Sequence, residues 1–243
     1  MIPRLGLTRT VVRPNYALIA RDGYVPSVLP GWTNCTPCVL LSAAIGAELV
    51  QLLIECKQGG RGKVETGTRE WVCYVVSGEG TLNGHSVVAG SYAYVPPDST
   101  IDFASSVEGT QLLVFEKIYE CAGDLTPPKF LVGHERDLVE SAFLGDPRAR
   151  LKTLLPDSLA WDLAVNIFTY DPGATLPFVE THVMEHGMLF LNGSGVYRLD
   201  EDWHPVTAGD ALWIASYCPQ WFIAAGPEPA RYIYYKDVNR APL

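Results

Sequence analysis

Apolar residues along this chain occur in short runs, not in long helical stretches. Segments such as EWVCYVVSGEG, GSYAYVPP and ARYIYYKD are rich in Val, Ile, Tyr and Phe, and Gly, Pro or Asn-Gly punctuates them. Runs of this length and composition predict β-strands, and Asn83-Gly84 is a strong hairpin signal. The best helical periodicity covers only residues 134–143. The pattern predicts an all-β protein.

The two halves of the chain also resemble each other. Glu65 aligns with Glu180, and the Gly-x-Gly at 78–80 aligns with the Gly-x-Gly at 193–195. Tandem units of about 110–120 residues, each rich in short strands, predict two jelly-roll barrels in a row.

The predicted division has three parts. An N-terminal barrel covers residues 1–120 and a C-terminal barrel covers residues 151–243. Between them, residues 121–150 contain Pro127-Pro128 and many charges without a strand pattern, so we expect a linker there.

Composition narrows the partners and the setting. The net charge of −9 argues against nucleic acid or an anionic membrane surface as partner. No run approaches the ~18 apolar residues that a membrane helix needs, and the first residues lack the apolar core of a signal peptide. The Cys35-Thr-Pro-Cys38 motif lacks the second ligand pair of a zinc clip and the βαβ context of a redox site. We therefore expect a chance pair and a reducing, cytoplasmic setting.

Candidate chemistry is concentrated in the second half. If residues 180–186 form a strand, Glu180, His182 and His186 project from one face, and Gln220 follows on a later strand. A carboxylate, two imidazoles and an amide oxygen are ligands for a divalent metal. This mixture suits octahedral Mn(II) or Fe(II) better than structural zinc, and it leaves two positions for substrate or water.

The first half lacks these ligands. Gly67, Trp71 and Ile101 stand at the positions that match His182, His186 and Gln220, and only the carboxylate of Glu65 remains. We therefore expect the first barrel to be metal-free.

The same residues also match the sequence pattern of a metal-dependent peptidase. The segment 182–186 reads H-x-x-E-H, the pattern of one peptidase class, in which both histidines lie on one face of a helix. Because Gly187 and a hairpin pattern follow directly, a strand is favoured over that helix.

Three residues near the C-terminus share a strand face: Tyr232, Tyr234 and Lys236. Barrel packing alone explains tyrosines at such positions. An inward-facing lysine in a metal-binding barrel can also anchor a carboxylate or exchange protons.

Two levels of resemblance follow from these residues. The stretch from Gly173 to Gly193 and the position of Gln220 resemble the two cupin motifs. The blocks NYALIARDGYVPSVLPGWTNC, ETHVMEHGMLFLNGSGVYRLDEDWHPVTAGD and YIYYKDVNR resemble the (S)-ureidoglycine aminohydrolases, manganese-dependent bicupins of allantoin and purine degradation.

The resemblance implies roles for individual residues and an oligomeric assembly. It makes Glu180, His182, His186 and Gln220 the manganese ligands, and it assigns Tyr197, Tyr232 and Lys236 to substrate contact. The implied reaction replaces the amine of a small ureido carboxylate with hydroxyl and releases ammonia. In our hypothesis Glu180 and Lys236 move the protons, and the tyrosines orient the ureido group.

Two other functions are compatible with the same ligands. Two histidines and a carboxylate with open positions also form the site of an Fe(II) dioxygenase. A bicupin can likewise bind a ligand without catalysis. Oxygen consumption with iron would favour the first, and bound metal without turnover would favour the second.

Overall fold

A computed structural model describes residues 7–240 and confirms the all-β prediction. Three short 3-10 turns lie at Arg21–Gly23, Ala43–Ile45 and Glu135–Asp137. Within residues 7–240, no helix has the length and apolar character needed to cross a membrane. The strands, numbered β1 to β20 in chain order, are Val11–Val12, Tyr16–Ile19, Trp32–Leu41, Val50–Glu65, Arg69–Ser77, Glu79–Leu82, His85–Val88, Ser91–Val95, Thr100–Ser105, Thr110–Ile118, Leu131–His134, Ser141–Phe143, Asp146–Thr153, Leu163–Tyr170, His186–Asn192, Ser194–Leu199, Asp202–Thr207, Ala211–Ile214, Gln220–Ala224 and Ala230–Asp237.

The first barrel is one nine-stranded sheet made of β3 to β11. Its long strand β4 pairs with β10 over Val50–Cys56 and with β9 over Arg61–Glu65. The strand changes partner around Gly59, whose φ of +74° is easily reached only without a Cβ. Apolar side chains fill the interior, among them Trp32, Ile54, Trp71, Ile101, Phe103 and Leu112.

The second barrel consists of an eight-stranded sheet and a three-stranded sheet. The segment corresponding to the far half of β4 is irregular here, over residues 171–185. Pro172 and Pro177 lie in it and cannot donate to a strand ladder. Only Thr175 and Glu180 make isolated bridges to β19. The segment therefore follows β19 through separate backbone hydrogen bonds instead of a continuous ladder.

Strand pairing crosses the predicted division in two places. Strand β2 of the N-terminal segment pairs with β18 of the second barrel. Within the predicted linker, β11 pairs with β8 of the first barrel, and β12 and β13 extend the eight-stranded sheet. Residues 134–143, the best candidate for a helix in the sequence, do not form an α-helix, because this segment holds the end of β11, a 3-10 turn and β12. The three-part division itself stays a prediction.

The cysteines pair differently from the CxxC spacing. Cys35 on β3 lies directly opposite Cys56 on β4, and the two form a disulfide. Cys38 is free. Because strand register, not sequence spacing, brings Cys35 and Cys56 together, the motif gave no signal for this bond.

The two barrels pack through a shared apolar cluster. It contains buried residues from both halves, including Leu41, Leu49, Phe115, Trp161, Ile167, Leu189, Trp213 and Tyr235. Burial of this much apolar surface is the main stabilising contribution to the contact.

A buried charged cluster lies beside that apolar contact. Lys117 of the first barrel donates to Asp162 of the second at 2.8 Å, and Tyr94 donates to the carboxyl of Glu70 at 2.9 Å. The remaining carboxyl oxygens, Oε1 of Glu70 and Oδ1 of Asp162, are buried and have no hydrogen-bond partner among the surrounding groups. Burial first, and the neighbouring Asp162 second, raise the pKa of Glu70 to about 9. Glu70 is therefore protonated at neutral pH and able to donate to Asp162.

This cluster predicts that part of the folding free energy is lost as pH rises. The contribution of Glu70 is complete below its ordinary pKa of 4.5 and is lost as pH rises through about 9, because only the folded protein retains the proton. The slope from this one group is on the order of 1 kcal/mol per pH unit. Glu70→Gln keeps a donor toward Asp162 but removes the titration.

Urea unfolding of the native protein and Glu70→Gln between pH 6 and 9 measures this slope. We expect a flatter dependence in the variant, with the exposed Glu228→Gln as control. Identical slopes in the native protein and Glu70→Gln would contradict the assignment.

Candidate metal and substrate site

A cavity of about 200 Å³ opens into the second barrel where its strand is interrupted. Every predicted site residue lines it. The complete lining is Phe143, Phe168, Glu180, His182, Met184, His186, Met188, Tyr197, Gln220, Tyr232, Tyr234 and Lys236.

The two histidines converge, although the strand predicted over 180–186 is wrong. Strand β15 begins only at His186, and residues 181–185 are irregular. The carboxylate of Glu185 accepts from Trp213 Nε1 and from the backbone N–H of Glu48, on the side facing the first barrel. With Glu185 held there, His186 points into the cavity, and its Nε2 lies 3.2 Å from Nε2 of His182.

The ring of His186 is oriented by a backbone carbonyl. Its Nδ1 lies 3.2 Å from the oxygen of Tyr235, which can only accept, so Nδ1 carries the hydrogen and Nε2 presents a lone pair. Burial, and then His182, lower the pKa of His186 to about 3. Burial also lowers the pKa of His182. Both rings are therefore neutral at physiological pH, the form in which imidazole binds metals.

Gln220 and Glu180 are tied to each other by their backbones. The N–H of Glu180 donates to the oxygen of Gln220 at 2.8 Å, and the reverse bond measures 2.9 Å. The Gln220 amide has Nε2 at 3.3 Å from His182 Nε2, and its Oε1 accepts from the Tyr197 hydroxyl at 2.8 Å. Half-turn rotation of the amide exchanges these two contacts, because a hydroxyl both donates and accepts.

The carboxylate of Glu180 is partly buried in the same cavity. Burial raises its pKa, and the charge of Lys236 opposes that change. Glu180 thus lies within electrostatic reach of the lysine across the cavity.

These donors fit a divalent cation. Two metal–nitrogen bonds of about 2 Å to one ion place their nitrogens about 3 Å apart, as the two Nε2 atoms are. Within residues 7–240, however, no three His, Cys, Asp or Glu side chains are grouped as metal ligands. The fit rests on two imidazoles and the Gln220 amide in contact, with Glu180 lining the same cavity.

The first barrel pairs different residues at the corresponding place. Glu65 lies opposite Thr100, as Glu180 lies opposite Gln220, so Thr100 and not Ile101 is the counterpart of Gln220. The alignment was wrong by one residue because loop lengths differ between the halves. The Thr100 hydroxyl donates to the Glu65 carboxylate at 2.9 Å, and Trp71 is buried in the apolar interior.

Strand β20 brings the C-terminal residues to the cavity. Its alternate residues Tyr232, Tyr234 and Lys236 lie opposite Phe190, Met188 and His186 of β15. The hydroxyls of Tyr232 and Tyr170 are 3.3 Å apart. Burial raises the pKa of Tyr197 and Tyr232 well above the ordinary value, so both hydroxyls keep their protons.

Several residues near the cavity were not predicted. Phe143, inside the expected linker, lines the cavity. Asn166 on β14 lies opposite Tyr234 on β20. Glu185 holds the segment before His186. Alternation along β14 was the only available signal for Asn166, since it shares a strand face with Phe168 and Tyr170.

The peptidase alternative is wrong. Residues 182–186 are not helical, and Glu185 faces Trp213 instead of the histidine pair. A general base for peptide hydrolysis is therefore missing from the required place.

Comparison with known proteins is consistent with this geometry. The model of the Cupin domain family matches residues 166–235. The (S)-ureidoglycine aminohydrolase of Arabidopsis thaliana is 38% identical over 98% of this chain and 80% of its own length. That of Escherichia coli strain K12 is 34% identical over 93% of this chain and 89% of its own length. The crystal structure of the E. coli protein Ylba superimposes with a TM-score of 0.86 and 31% identity, over 97% of this chain and 96% of that one.

The chain belongs to the (S)-ureidoglycine aminohydrolase family.

Membership of the (S)-ureidoglycine aminohydrolase family makes the protein a hydrolase with a bicupin fold, as the sequence predicted. It favours hydrolysis over the Fe(II) dioxygenase and over a ligand-binding bicupin without catalysis.

The convergence of two neutral imidazoles predicts a metal affinity that depends on both. We expect His186→Ala to weaken divalent metal binding at least tenfold, because loss of one ligand typically costs that much or more. Calorimetric titration of metal-stripped protein with Mn(II) measures it.

His204→Ala is the matched control, since His204 contacts Tyr16 outside the cavity. Unchanged affinity in His186→Ala would contradict the ligand assignment.

Proposed function

We propose that this protein converts (S)-ureidoglycine and water to (S)-ureidoglycolate and ammonia, a step of allantoin and purine catabolism. The observation that carries the proposal is the pair of imidazole nitrogens 3.2 Å apart in a cavity that Lys236 also lines, in a chain of this family.

The proposed cofactor is Mn(II), held by Glu180, His182, His186 and Gln220. Two oxygen and two nitrogen donors suit an octahedral ion, with Fe(II) as the alternative. When bound, the ion supplies positive charge that binds and orients the carboxylate and amine of the substrate. The amide rotation described for Gln220 presents its oxygen to the imidazoles while Tyr197 accepts from its nitrogen.

The reaction requires one proton to be delivered and one to be removed. The carbon–nitrogen bond to the amine breaks as Lys236 donates a proton to the departing nitrogen, and the ureido nitrogen supplies electrons to the carbon. Water then adds to that carbon and loses a proton to Glu180. Glu180 passes this proton on to the amine of Lys236, which returns to its starting form. The sum is one water consumed and one ammonia released, with no change in oxidation state.

The tyrosines are proposed to contact the substrate from the cavity floor. Tyr197 and Tyr232 are buried, protonated and hydrogen-bonded to Gln220 and Tyr170 respectively. Fixed hydroxyls of this kind shape a pocket at little entropic cost during binding.

The proposed setting is cytoplasmic, and the Cys35–Cys56 disulfide is an exception there, because reducing compartments usually keep thiols reduced. The proposed assembly is homo-oligomeric, with a small ureido carboxylate as the ligand. The resemblance to the family supports the assembly, and the negative net charge of −9 argues against nucleic acid.

The proposed reaction is tested by supplying ureidoglycine generated in place from allantoate, because it decays spontaneously. NMR follows ammonia release and the configuration of ureidoglycolate. We expect rapid formation of the (S) product by manganese-loaded protein and only the slow racemic background with His186→Ala. Slow, racemic formation of ureidoglycolate by the intact protein, equal to the spontaneous background, would refute the proposed substrate.

Lys236→Met separates proton transfer from metal binding. We expect turnover to fall at least a hundredfold, the usual contribution of a positioned acid or base, while manganese content by mass spectrometry stays unchanged. Lys63→Met is the control, since Lys63 is exposed on β4 of the first barrel. Loss of metal together with turnover would sink this role for Lys236.

A further inference from the structure

A second cavity adjoins the first at Lys236. It measures about 180 Å³, and its polar lining includes Thr153, Asp157, Asn166 and Asn239. Lys236 lines both cavities. Lys236 is thus the residue that the two cavities share.

Asn166 is the buried polar group at this junction. It lies opposite Tyr234 on the neighbouring strand, with Ala164 opposite Lys236 and Phe168 opposite Tyr232. Only 3% of its surface is exposed, and the next residues on its strand face are Phe168 and Tyr170. An amide among aromatic rings is costly to bury unless its hydrogen bonds are made.

One neighbouring hydroxyl can occupy only part of the hydrogen-bonding capacity of this amide. The Asn166 side chain lies beside Tyr234 and opposes the effect of burial, which raises the pKa of Tyr234. An amide carries two donor hydrogens and an acceptor oxygen. A donor and the acceptor oxygen are thus left for a ligand.

The tyrosine hydroxyls do not offer the same chemistry. The hydroxyl of Tyr197 is paired with the Gln220 amide at 2.8 Å, and those of Tyr170 and Tyr232 face each other at 3.3 Å. A ureido group presents N–H donors and a carbonyl acceptor side by side. The group that complements both at once is another amide.

We infer that Asn166 is a specificity-determining residue that recognises the ureido end of the substrate through a paired amide contact. The inference rests on the proposed function and deepens it. Strands β14 and β15 flank β20, so their axes are about 10 Å apart, and the register places Asn166, Lys236 and His186 on the same face of the sheet. A substrate with its carboxylate near His186 spans the remaining distance to Asn166. The role first expected of the tyrosines, orienting the ureido group, passes to this amide.

The test uses two stable ligands and needs no turnover. Hydantoate has the carboxylate and ureido group of the substrate without its amine, and N-acetylglycine replaces the terminal ureido NH2 with methyl. Calorimetry on manganese-loaded protein gives both affinities for the native protein and for Asn166→Leu. We expect the native protein to prefer hydantoate at least tenfold and the variant to lose that preference through weaker hydantoate binding.

Two further variants keep the test decisive. Asn166→Ser keeps a small hydrogen-bonding group that cannot pair with the ureido carbonyl and the terminal NH2 at once, and it is expected to lose the preference even if the leucine variant fails to fold. Asn192→Leu, an exposed position at the end of β15, should keep it. A merely structural Asn166 would weaken both ligands equally or neither.

The outcomes separate the two claims. Native turnover of ureidoglycine with the hydantoate preference unchanged in both Asn166 variants overturns the inference alone. A preference that is lost in the variants, without native turnover of ureidoglycine, supports the amide contact and refutes the proposed reaction. Absence of both hydantoate binding and turnover in the native protein overturns both.

Discussion

The pairing of β15 with β20 is the constraint on which the candidate site depends. It places His186 opposite Lys236, and the carbonyl of Tyr235 on β20 accepts from His186 Nδ1. One strand pair therefore positions His186, orients its ring and sets Lys236 beside it. A slip of one residue would turn this whole face toward the first barrel.

The first barrel supports this strand pair from behind. A Cβ at Gly187 would lie 2.8 Å from Leu49 and 2.9 Å from Gln51, so a larger residue there would displace the ends of these first-barrel side chains. Gln51 donates to the carbonyl of Met188 at 3.1 Å. The barrel with an apolar interior thus holds β15 in place, and the candidate site lies in the cavity beside the irregular segment 171–185.

The sequence was sufficient for the fold class and for much of the site. Strand composition and the internal repeat predicted two β-barrels, and residue types with family resemblance brought Glu180, His182, His186 and Gln220 together as candidates. The features that the sequence did not predict depend on contacts between segments that are distant along the chain. The irregular stretch before His186 follows from the contacts of Glu185 with Trp213 and with Glu48 of the first barrel, and the Cys35–Cys56 disulfide follows from strand register. Asn166 carried no motif, because its environment exists only once β14 and β20 pair.

The central claim is that both imidazoles bind one ion in this cavity. Pulsed electron paramagnetic resonance on Mn(II)-loaded protein with 15N-labelled histidine tests it most directly, since each directly bound imidazole nitrogen gives a measurable coupling. The account predicts two nitrogen couplings, reduced to one in a variant that lacks His182. A spectrum without histidine coupling would contradict it.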